Sequence, residues 1–309
     1  MAGCNRILSI FLALLLPVSA LRAQVAEVLP FTRIDRDPVQ TGLAGAGAAY
    51  AGSVAYKAFS DAAVLPFFEG TLDAGASYQR WAPGTAAANH AAAGVAVKPL
   101  PWLAVSAGYA LQMGTPYEDT NAQGQPIGTI RPLSHLAALG LGFGLGSHFS
   151  LGVNLRYAMQ KAAGKYAAFS ADISAAWQPV SNLRFTAGVS TLGPGIASED
   201  GITYPQPTST RIGALWTLAI AQNHSVDLMG DVDFYFVGRT AASLGLQYNW
   251  KQLLYVRGGY RFADDACALP GHAAVGAGVH LGGFRLEVSW LTASRTLGNT
   301  LCAGLGFAF

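Results

Sequence analysis

SVDLMGDVDFYFV, residues 225–237, alternates apolar and polar side chains along its length. Successive side chains of an extended strand point to opposite faces, so a period of two separates the two kinds. One face carries Val226, Leu228, Val232, Phe234 and Phe236, and the other carries Asp227, Asp231, Asp233 and Tyr235. Such a strand is typical of a soluble β-sandwich, which buries its apolar face, or of a membrane barrel, which turns that face to lipid.

The same alternation recurs along the chain from Gly70 onward. Clear copies lie at 149–157, 183–189, 242–250, 254–262 and 284–290, and Gly- and Ala-rich copies lie near 70–81, 88–97, 102–113, 134–145, 166–177, 211–220 and 272–281. The last copy, 300–309, places Phe307 and Phe309 on its apolar face. With residues 225–237 these segments predict about fourteen strands.

The connections between the segments favour a barrel. Short turns alternate with a second set of connections, which includes the long loops 114–133, 192–210 and 263–271. Transmembrane barrels sort their loops in this way, with short turns at the periplasmic rim and long loops outside. Tryptophans near segment ends predict interfacial aromatic girdles; they are Trp81, Trp102, Trp177, Trp250 and Trp290.

The composition leaves few other classes open. Hydrophobic residues make up 51% of the 309 residues and charged residues only 12%. Beyond the N-terminus no run of about 18 to 20 apolar residues exists to form a spanning helix. A closed barrel fits this combination, because its backbone groups pair between strands. The net charge of +2 and the absence of a basic run give no reason to expect a nucleic-acid partner.

The first 23 residues predict a cleaved secretory signal peptide. Arg6 precedes an apolar run at 7–16, and small residues follow, as in export signals. Residues 24–69 are expected to form an N-terminal extension and plug, and residues 70–309 the transmembrane barrel. Within the extension, QTGLAGAGAAYA at 40–51 is uncharged and rich in Gly and Ala, which suits close packing inside a lumen. The expected location is the bacterial outer membrane.

Charged side chains on the polar faces of the strands predict a charged lumen. They are Arg156, Asp172, Arg184, Arg211, Asp227, Asp231, Asp233, Arg257, Arg261, Arg285 and Glu287. One interpretation is a polar path for a solute, and the other is a set of ion pairs that brace the wall and hold the plug. Residues two apart on a strand are about 7 Å apart, so the three aspartates of 227–233 are not expected to chelate one Ca²⁺.

No catalytic motif accompanies these charges. The sequence contains no H-E-x-x-H or C-x-x-C motif, and the best nucleophile candidate, Ser289 near His280, has no evident third group to orient it. We therefore expect no enzymatic activity, no cofactor and no metal. Cys267 and Cys302 both fall near the predicted outer rim, and a disulfide between them stays open at this point.

The order of these features resembles a known family. The segment 38–51 contains Gly42, Gly45 and Gly47, and the turn Asp61-Ala62-Ala63 follows it. This order resembles the PorV/PorQ branch of the FadL-like outer-membrane proteins of Bacteroidetes, in which a glycine-rich segment and an Asn-Pro-Ala turn belong to the plug. Ala62 stands where that pattern has proline. The final strand with its terminal Phe resembles the C-terminal signal of outer-membrane barrels.

The resemblance implies two alternative functions. The first is a component linked to type IX protein secretion, with secretion-system subunits or a secreted surface protein as partners. The alternative is a FadL-like transporter or channel that carries hydrophobic small molecules through the lumen and a lateral opening. In both cases outer-membrane lipid surrounds the barrel. Because one fold hosts many functions, the sequence leaves both open, with a slight preference for the sealed, secretion-linked barrel.

Overall fold

The computed structural model describes residues 28–82, 87–197, 201–264, 267, 269–295 and 297–309, and this part of the chain forms a closed barrel of fourteen antiparallel strands. Each strand pairs with the next in sequence, and the last pairs with the first. The strands are β1 Leu72–Trp81, β2 Ala88–Leu100, β3 Leu103–Gly114, β4 Leu133–Leu145, β5 Phe149–Lys161, β6 Lys165–Val180, β7 Leu183–Leu192, β8 Ser209–Ala221, β9 His224–Tyr235, β10 Arg239–Trp250, β11 Leu254–Ala263, β12 His272–Leu281, β13 Phe284–Thr292 and β14 Thr300–Ala308. The predicted fold class is confirmed.

The alternation along β9 shows which face of the sheet becomes the outside of the barrel and which becomes the inside. Phe234 points outward and is 40% exposed, whereas Asp231 and Asp233 point inward and are each 2% exposed. Large apolar side chains cover the outer surface on the other strands as well, as on a barrel that faces lipid. Trp81 is an exception to the predicted girdles. It is buried and packs against His90, with ring centroids 5.7 Å apart.

The connections divide the barrel into two rims. We call the rim with the turns before β3, β5, β7, β9, β11 and β13 the short-turn rim, and the opposite one the long-loop rim. The three predicted long loops lie at the long-loop rim. Two of them contain small hairpins, one pairing Tyr117–Thr120 with Pro126–Ile130 and one pairing Ile196–Ala197 with Thr203–Tyr204.

The end of the chain closes the barrel at the short-turn rim. The carbonyl of Phe309 accepts the amide of Leu72 at 2.9 Å, and the amide of Phe309 donates to the Leu72 carbonyl at 3.0 Å. Phe307 packs against Phe284 on the neighbouring strand, with ring centroids 4.9 Å apart. The predicted C-terminal strand therefore forms the seam of the barrel.

The chain before β1 fills the lumen as a plug. It contains helix α1, Pro38–Gly42, and three 3₁₀ turns at Pro30–Arg33, Lys57–Phe59 and Ala62–Phe67. Proline occupies the first position of α1, where a missing N–H costs nothing, and the Asp37 side chain caps the helix by accepting the Val39 amide at 2.9 Å. No helix among the described residues is long and apolar enough to cross a bilayer.

Small residues on the wall let the plug approach closely. A Cβ on Gly152 of β5 would meet the backbone of Ala62 and Ala63, so a larger residue there would displace the plug. Gly47 of the plug has φ +120°, a conformation that glycine adopts without strain. A Cβ on Gly259 of β11 would meet the Leu43 carbonyl oxygen, so the Gly/Ala-rich segment 40–51 also lies against the inner wall.

Candidate functional site: the charged lumen and a break in the wall

The predicted lumen charges all lie on the inner side of the wall. Nine are buried, and Arg184 and Arg211 are partly exposed. Ion pairs connect them: Arg211 Nε to Asp233 Oδ1 at 2.6 Å, Arg261 Nη2 to Asp233 Oδ2 at 3.1 Å, Arg257 Nη1 to Glu287 Oε2 at 2.6 Å, and the pairs Arg156–Asp172 and Arg285–Asp73. Buried charges need such partners, so much of the charge braces the wall.

Two inward carboxylates instead bind the plug backbone. Asp231 Oδ2 accepts the amides of Gly47 at 3.0 Å and Ala48 at 2.9 Å. Asp73 Oδ2 accepts the amide of Val54 at 2.6 Å and that of the next residue at 3.1 Å. Asp73 was not among the predicted lumen charges, and the weak alternation of its Gly- and Ala-rich segment 70–81 gave no clear signal for it.

Neutral polar side chains of β5 and β6 hold a second part of the plug, around residues 57–63. Asn154 Nδ2 donates to the carbonyls of Lys57 at 2.8 Å and Ala58 at 2.9 Å, and its Oδ1 accepts the Ala62 amide at 3.3 Å. Ser174 Oγ accepts the amide of the residue after Ala62 at 3.2 Å. Asn154 sits on the polar face of the predicted strand 149–157, but its plug contacts join residues 92 to 97 positions apart and leave no local pattern.

The other plug residues singled out in the sequence lie deep in the lumen. Gly42 lies so close to the wall that a Cβ there would be 2.8 Å from Ser289 Oγ. Gly45 has φ +86°, and a Cβ there would be 3.2 Å from Asp35 Oδ2. Asp61 is 9% exposed, and its Oδ2 has no hydrogen-bond partner among the described residues.

Burial shifts the pKa values of ionisable plug residues. It lowers the pKa of the Arg36 guanidinium to about 9, and the nearby charge of Arg156 lowers it further in the same sense. It raises the pKa of the Asp37 carboxyl to about 6, against the opposing effect of the Val39 amide. The pKa of Lys57 is also lowered by burial, and its Nζ donates to the Gly47 carbonyl at 3.1 Å.

The residues considered for chemistry have structural partners. Ser289 Oγ donates to the Pro38 carbonyl at 2.5 Å, and His280 Nε2 lies 2.7 Å from Glu287 Oε1. Within the described residues no group of three His, Cys, Asp or Glu side chains is arranged to hold a metal ion. The three aspartates of β9 bind three different sets of donors; for example, Asp227 Oδ1 accepts the Thr217 hydroxyl at 2.6 Å.

The disulfide left open by the sequence does not form. Cys267 and Cys302 are both free and buried. Cys302 points into the lumen in register with Gln79 of β1, whereas Cys267 lies in the loop between β11 and β12 and packs with Tyr235 and Ala241. The two thiols therefore belong to different parts of the barrel.

A cavity of about 90 Å³ lies between the plug and the wall, towards the long-loop rim. Its lining combines charged groups with apolar surface and includes Arg36, Phe59, Asp61, Ser190, Arg211 and Tyr235. A few polar groups among apolar ones are typical of a small-molecule site.

Beside this cavity a β-bulge, which we call the interruption, breaks the regular register between β6 and β7. Ala171 pairs with Leu192 and Ile173 pairs with Val189, so Asp172 faces the two residues Ser190 and Thr191. Thr191 has φ +58°, which is rare for a β-branched residue, and its amide donates to Asp172 Oδ1 at 2.7 Å. The other carboxylate oxygen, Oδ2, binds Arg156.

Above the interruption the edge of β6 has no neighbouring strand on the β7 side. β7 ends at Leu192, while residues 165–170 of β6 continue to the long-loop rim. Gln206 from the loop after β7 covers this edge, since its Nε2 donates to the Phe169 carbonyl at 3.0 Å and to the Pro194 carbonyl at 2.8 Å. The Gln206 side chain thus supplies a hydrogen bond that a neighbouring strand would otherwise make to the edge of β6.

An apolar groove of about 1050 Å³ lies on the outer face of the same wall, from β2 to the end of β7. Its lining includes Tyr109, Leu139, Leu155, Tyr157, Phe169 and Leu192. Asp172 and Thr191 line the inner cavity, their neighbours Ala171 and Leu192 line the outer groove, and Arg156 contributes to both. The cavity and the groove therefore lie on opposite sides of the wall at the interruption.

No protein-family model and no curated protein matches the sequence. Solved structures do match. The toluene transporter TbuX of Ralstonia pickettii has a TM-score of 0.62 at 11% identity, covering 88% of this chain and 97% of that one. The CymD monoaromatic hydrocarbon channel gives 0.63 at 11% identity, with 92% and 99% covered, and a Pseudomonas aeruginosa FadL homologue gives 0.50 at 11%, with 88% and 97% covered. This chain therefore shares the barrel fold of these three solved structures, a toluene transporter, a monoaromatic hydrocarbon channel and a FadL homologue.

Proposed function

We propose that this chain is an outer-membrane channel for hydrophobic small molecules, and not an enzyme. The solved structures that share its fold are named as toluene transporters and monoaromatic hydrocarbon channels. They support the transporter alternative over the secretion-linked function that the sequence favoured. They also support the expected location in the outer membrane.

The interruption between β6 and β7 is the observation that carries this proposal. It places a luminal cavity on one side of the wall and an apolar groove on the other, separated by the backbone at Asp172 and Thr191. A hydrophobic molecule that crosses here passes from the lumen into the bilayer without entering water. The hydrophobic effect favours that transfer by about 25 cal/mol for each Å² of apolar surface kept from water.

The route is closed in this structure. Asp172 joins β6 to Arg156 of β5 and to the Thr191 amide of β7, and the side chains of Asp172 and Arg156 are each 5% exposed. We call these contacts of Asp172 with Arg156 and Thr191 the latch. Passage of a molecule through the wall therefore requires the latch to open or residues 191–194 to move.

A cross-link across the interruption tests the route. Ala171 and Leu192 are directly opposed, so cysteines at both positions have the spacing of a disulfide. The matched control is a cysteine pair at Val153 and Ile173, which are opposed in the continuous β5–β6 ladder. Uptake of a labelled monoaromatic hydrocarbon and of a labelled long-chain fatty acid is measured in cells that express each variant, before and after reduction.

The expected result is that oxidation of the Ala171/Leu192 pair blocks uptake and reduction restores it, while the control pair transports in both states. Equal uptake by the oxidised pair and the control would refute the lateral route. No uptake of either compound by the wild-type protein, above cells that lack it, would refute the channel itself.

A secretion-linked function is the second proposal, and the anchorage of the plug supports it. Wall residues from β1, β5, β6 and β9 bind the plug backbone directly, which suits a lumen that stays filled. Such a component would act through its rim and loops. Affinity purification from the native envelope separates the two: retained secretion-system subunits or a surface protein favour this function, and a retained hydrophobic molecule favours the channel.

The division of the chain is also part of the proposal. We propose that residues 1–23, which lie outside the described residues, are a cleaved signal peptide, that 24–69 form the extension and plug, and that 70–309 form the barrel. N-terminal sequencing of the protein recovered from the envelope tests the cleavage. A mature protein that begins at Met1 would contradict it.

A further inference from the structure

Two lysines face each other at the long-loop rim. Lys161 ends β5, Lys165 begins β6, and the two residues are directly opposed in register. Both are exposed and lie on the outward face. Like charges directly opposite on a sheet are destabilising, so a bound anion would stabilise this pair.

Within the described part of the chain the structure gives neither lysine side chain a hydrogen bond or an ion pair. Lysines at the short-turn rim differ. Lys251 Nζ lies 5.1 Å from the ring centroid of Trp250, and Lys98 Nζ donates to the Phe68 carbonyl. The pair at the long-loop rim is thus a cationic spot that the described chain itself does not neutralise.

The apolar groove lies on the same two strands, below the lysines. Tyr157 and Phe169 line it, with ring centroids 4.8 Å apart, and Phe169 is 70% exposed. Each ring is four residues from its lysine along the strand, a rise of about 13 Å. Because a lysine side chain spans several ångströms, the ammonium groups reach the region just above the groove.

We propose that the lysine pair and the groove together bind one anionic lipid, with its phosphate on Lys161 and Lys165 and an acyl chain in the groove. Two ammonium groups supply six N–H donors and two positive charges for the phosphate. The groove supplies apolar surface that a free anion or a polar peptide would leave unused. This site does not depend on which molecule the barrel transports.

Lipid retention measured by native mass spectrometry tests the site. The purified barrel is placed in neutral detergent micelles that contain phosphatidylglycerol or phosphatidylcholine, and bound lipid is counted. The wild type is expected to hold one phosphatidylglycerol in preference to phosphatidylcholine by about tenfold, the effect of about 1.4 kcal/mol in binding free energy. The double variant K161Q/K165Q should lose this preference.

Matched variants assign the two parts of the site. K251Q, which removes one charge at the opposite rim, should leave the preference unchanged. Phe169→Ser should weaken retention of both lipids, because it removes groove surface and leaves the charges in place. A heat-modifiability gel confirms that each variant is folded.

Three outcomes would overturn the proposal. They are equal retention of the two lipids by the wild type, a preference that survives in K161Q/K165Q, and complete displacement of phosphatidylglycerol by inorganic phosphate, which would show an anion site without a lipid. Uptake assays on the same variants are read separately, so failure of the lipid site and failure of the channel are distinguishable.

Discussion

Replacing Asp172 by asparagine removes the charge that holds the interruption in the wall. The carboxylate accepts the Thr191 amide at 2.7 Å through Oδ1 and the Arg156 Nε at 2.8 Å through Oδ2. Asparagine keeps the shape and one acceptor oxygen, but it leaves the Arg156 guanidinium buried without a counter-charge. The variant therefore weakens the latch and keeps the packing.

The size of the effect follows from the burial of the pair. Removing one partner of a buried ion pair costs about 3 to 5 kcal/mol, and the retained oxygen of asparagine brings this to about 2 to 3 kcal/mol. Since about 1.4 kcal/mol is a factor of ten, the open form should become about 30- to 150-fold more populated. The gain arises because the open form lets water solvate the Arg156 guanidinium.

Hydrogen exchange of the amides of residues 191–193 measures the open population directly. The control is E287Q, which removes the charge from Glu287, the partner of Arg257 in another buried ion pair, at 2.6 Å and away from the interruption. D172N should accelerate exchange at 191–193 by the factor above, and E287Q should leave it within a few-fold of the wild type. Equal acceleration in both variants, or none in D172N, would refute the assignment of a local latch.

Three further predictions concern the plug. Gly152→Ala places a methyl group against the plug backbone and should lower the free energy of unfolding by about 1 to 3 kcal/mol, seen as a lower unfolding temperature in a heat-modifiability gel. The control Gly128→Ala, whose added Cβ would meet nothing within 4 Å, should leave that temperature unchanged. Asp73→Asn weakens two contacts with the plug backbone and the ion pair with Arg285, so single-channel conductance in planar bilayers should rise. The control Asp119→Asn, in a loop hairpin, should leave the conductance unchanged. Equal conductance for both variants would count against the plug as the seal of the lumen. Asp37 has a folded pKa raised from 3.8 to about 6, so the folded chain holds a proton that the unfolded chain releases in that window. Stability should therefore fall by up to about 3 kcal/mol as the pH rises from about 4 to above 6, and D37N should lack this fall in thermal unfolding.

Period-two patterns predicted the wall of the barrel well because burial there depends on local sequence. The facing of Asp231 follows from its apolar neighbours Val232 and Leu228, and the structure agrees. The sequence pattern could not predict the partner of Asp231, because Gly47 is 184 residues away. Ion pairs between strands were predictable as a class, whereas plug contacts were not.

The interruption had no sequence signal at all. A left-handed φ is expected at glycine, asparagine or aspartate, and Thr191 is none of these. Tertiary contacts with Asp172 impose the conformation. Asp73 was missed for a different reason: its segment, 70–81, is rich in Gly and Ala, so alternation there is weak and the facing of one acidic residue is ambiguous.

The plug is the first described part of the chain to be synthesised, yet many of its partners are synthesised last. Ser243 binds the Ala44 carbonyl from 199 residues away, and Ser289 binds the Pro38 carbonyl from 251 residues away. Contacts this distant in sequence form slowly, because the loop that they close must first lose its freedom. We therefore expect the N-terminal segment to dock only once the C-terminal strands are in place, together with closure of the seam by Phe309. Loss of the final strand should then leave both ends of the described chain undocked.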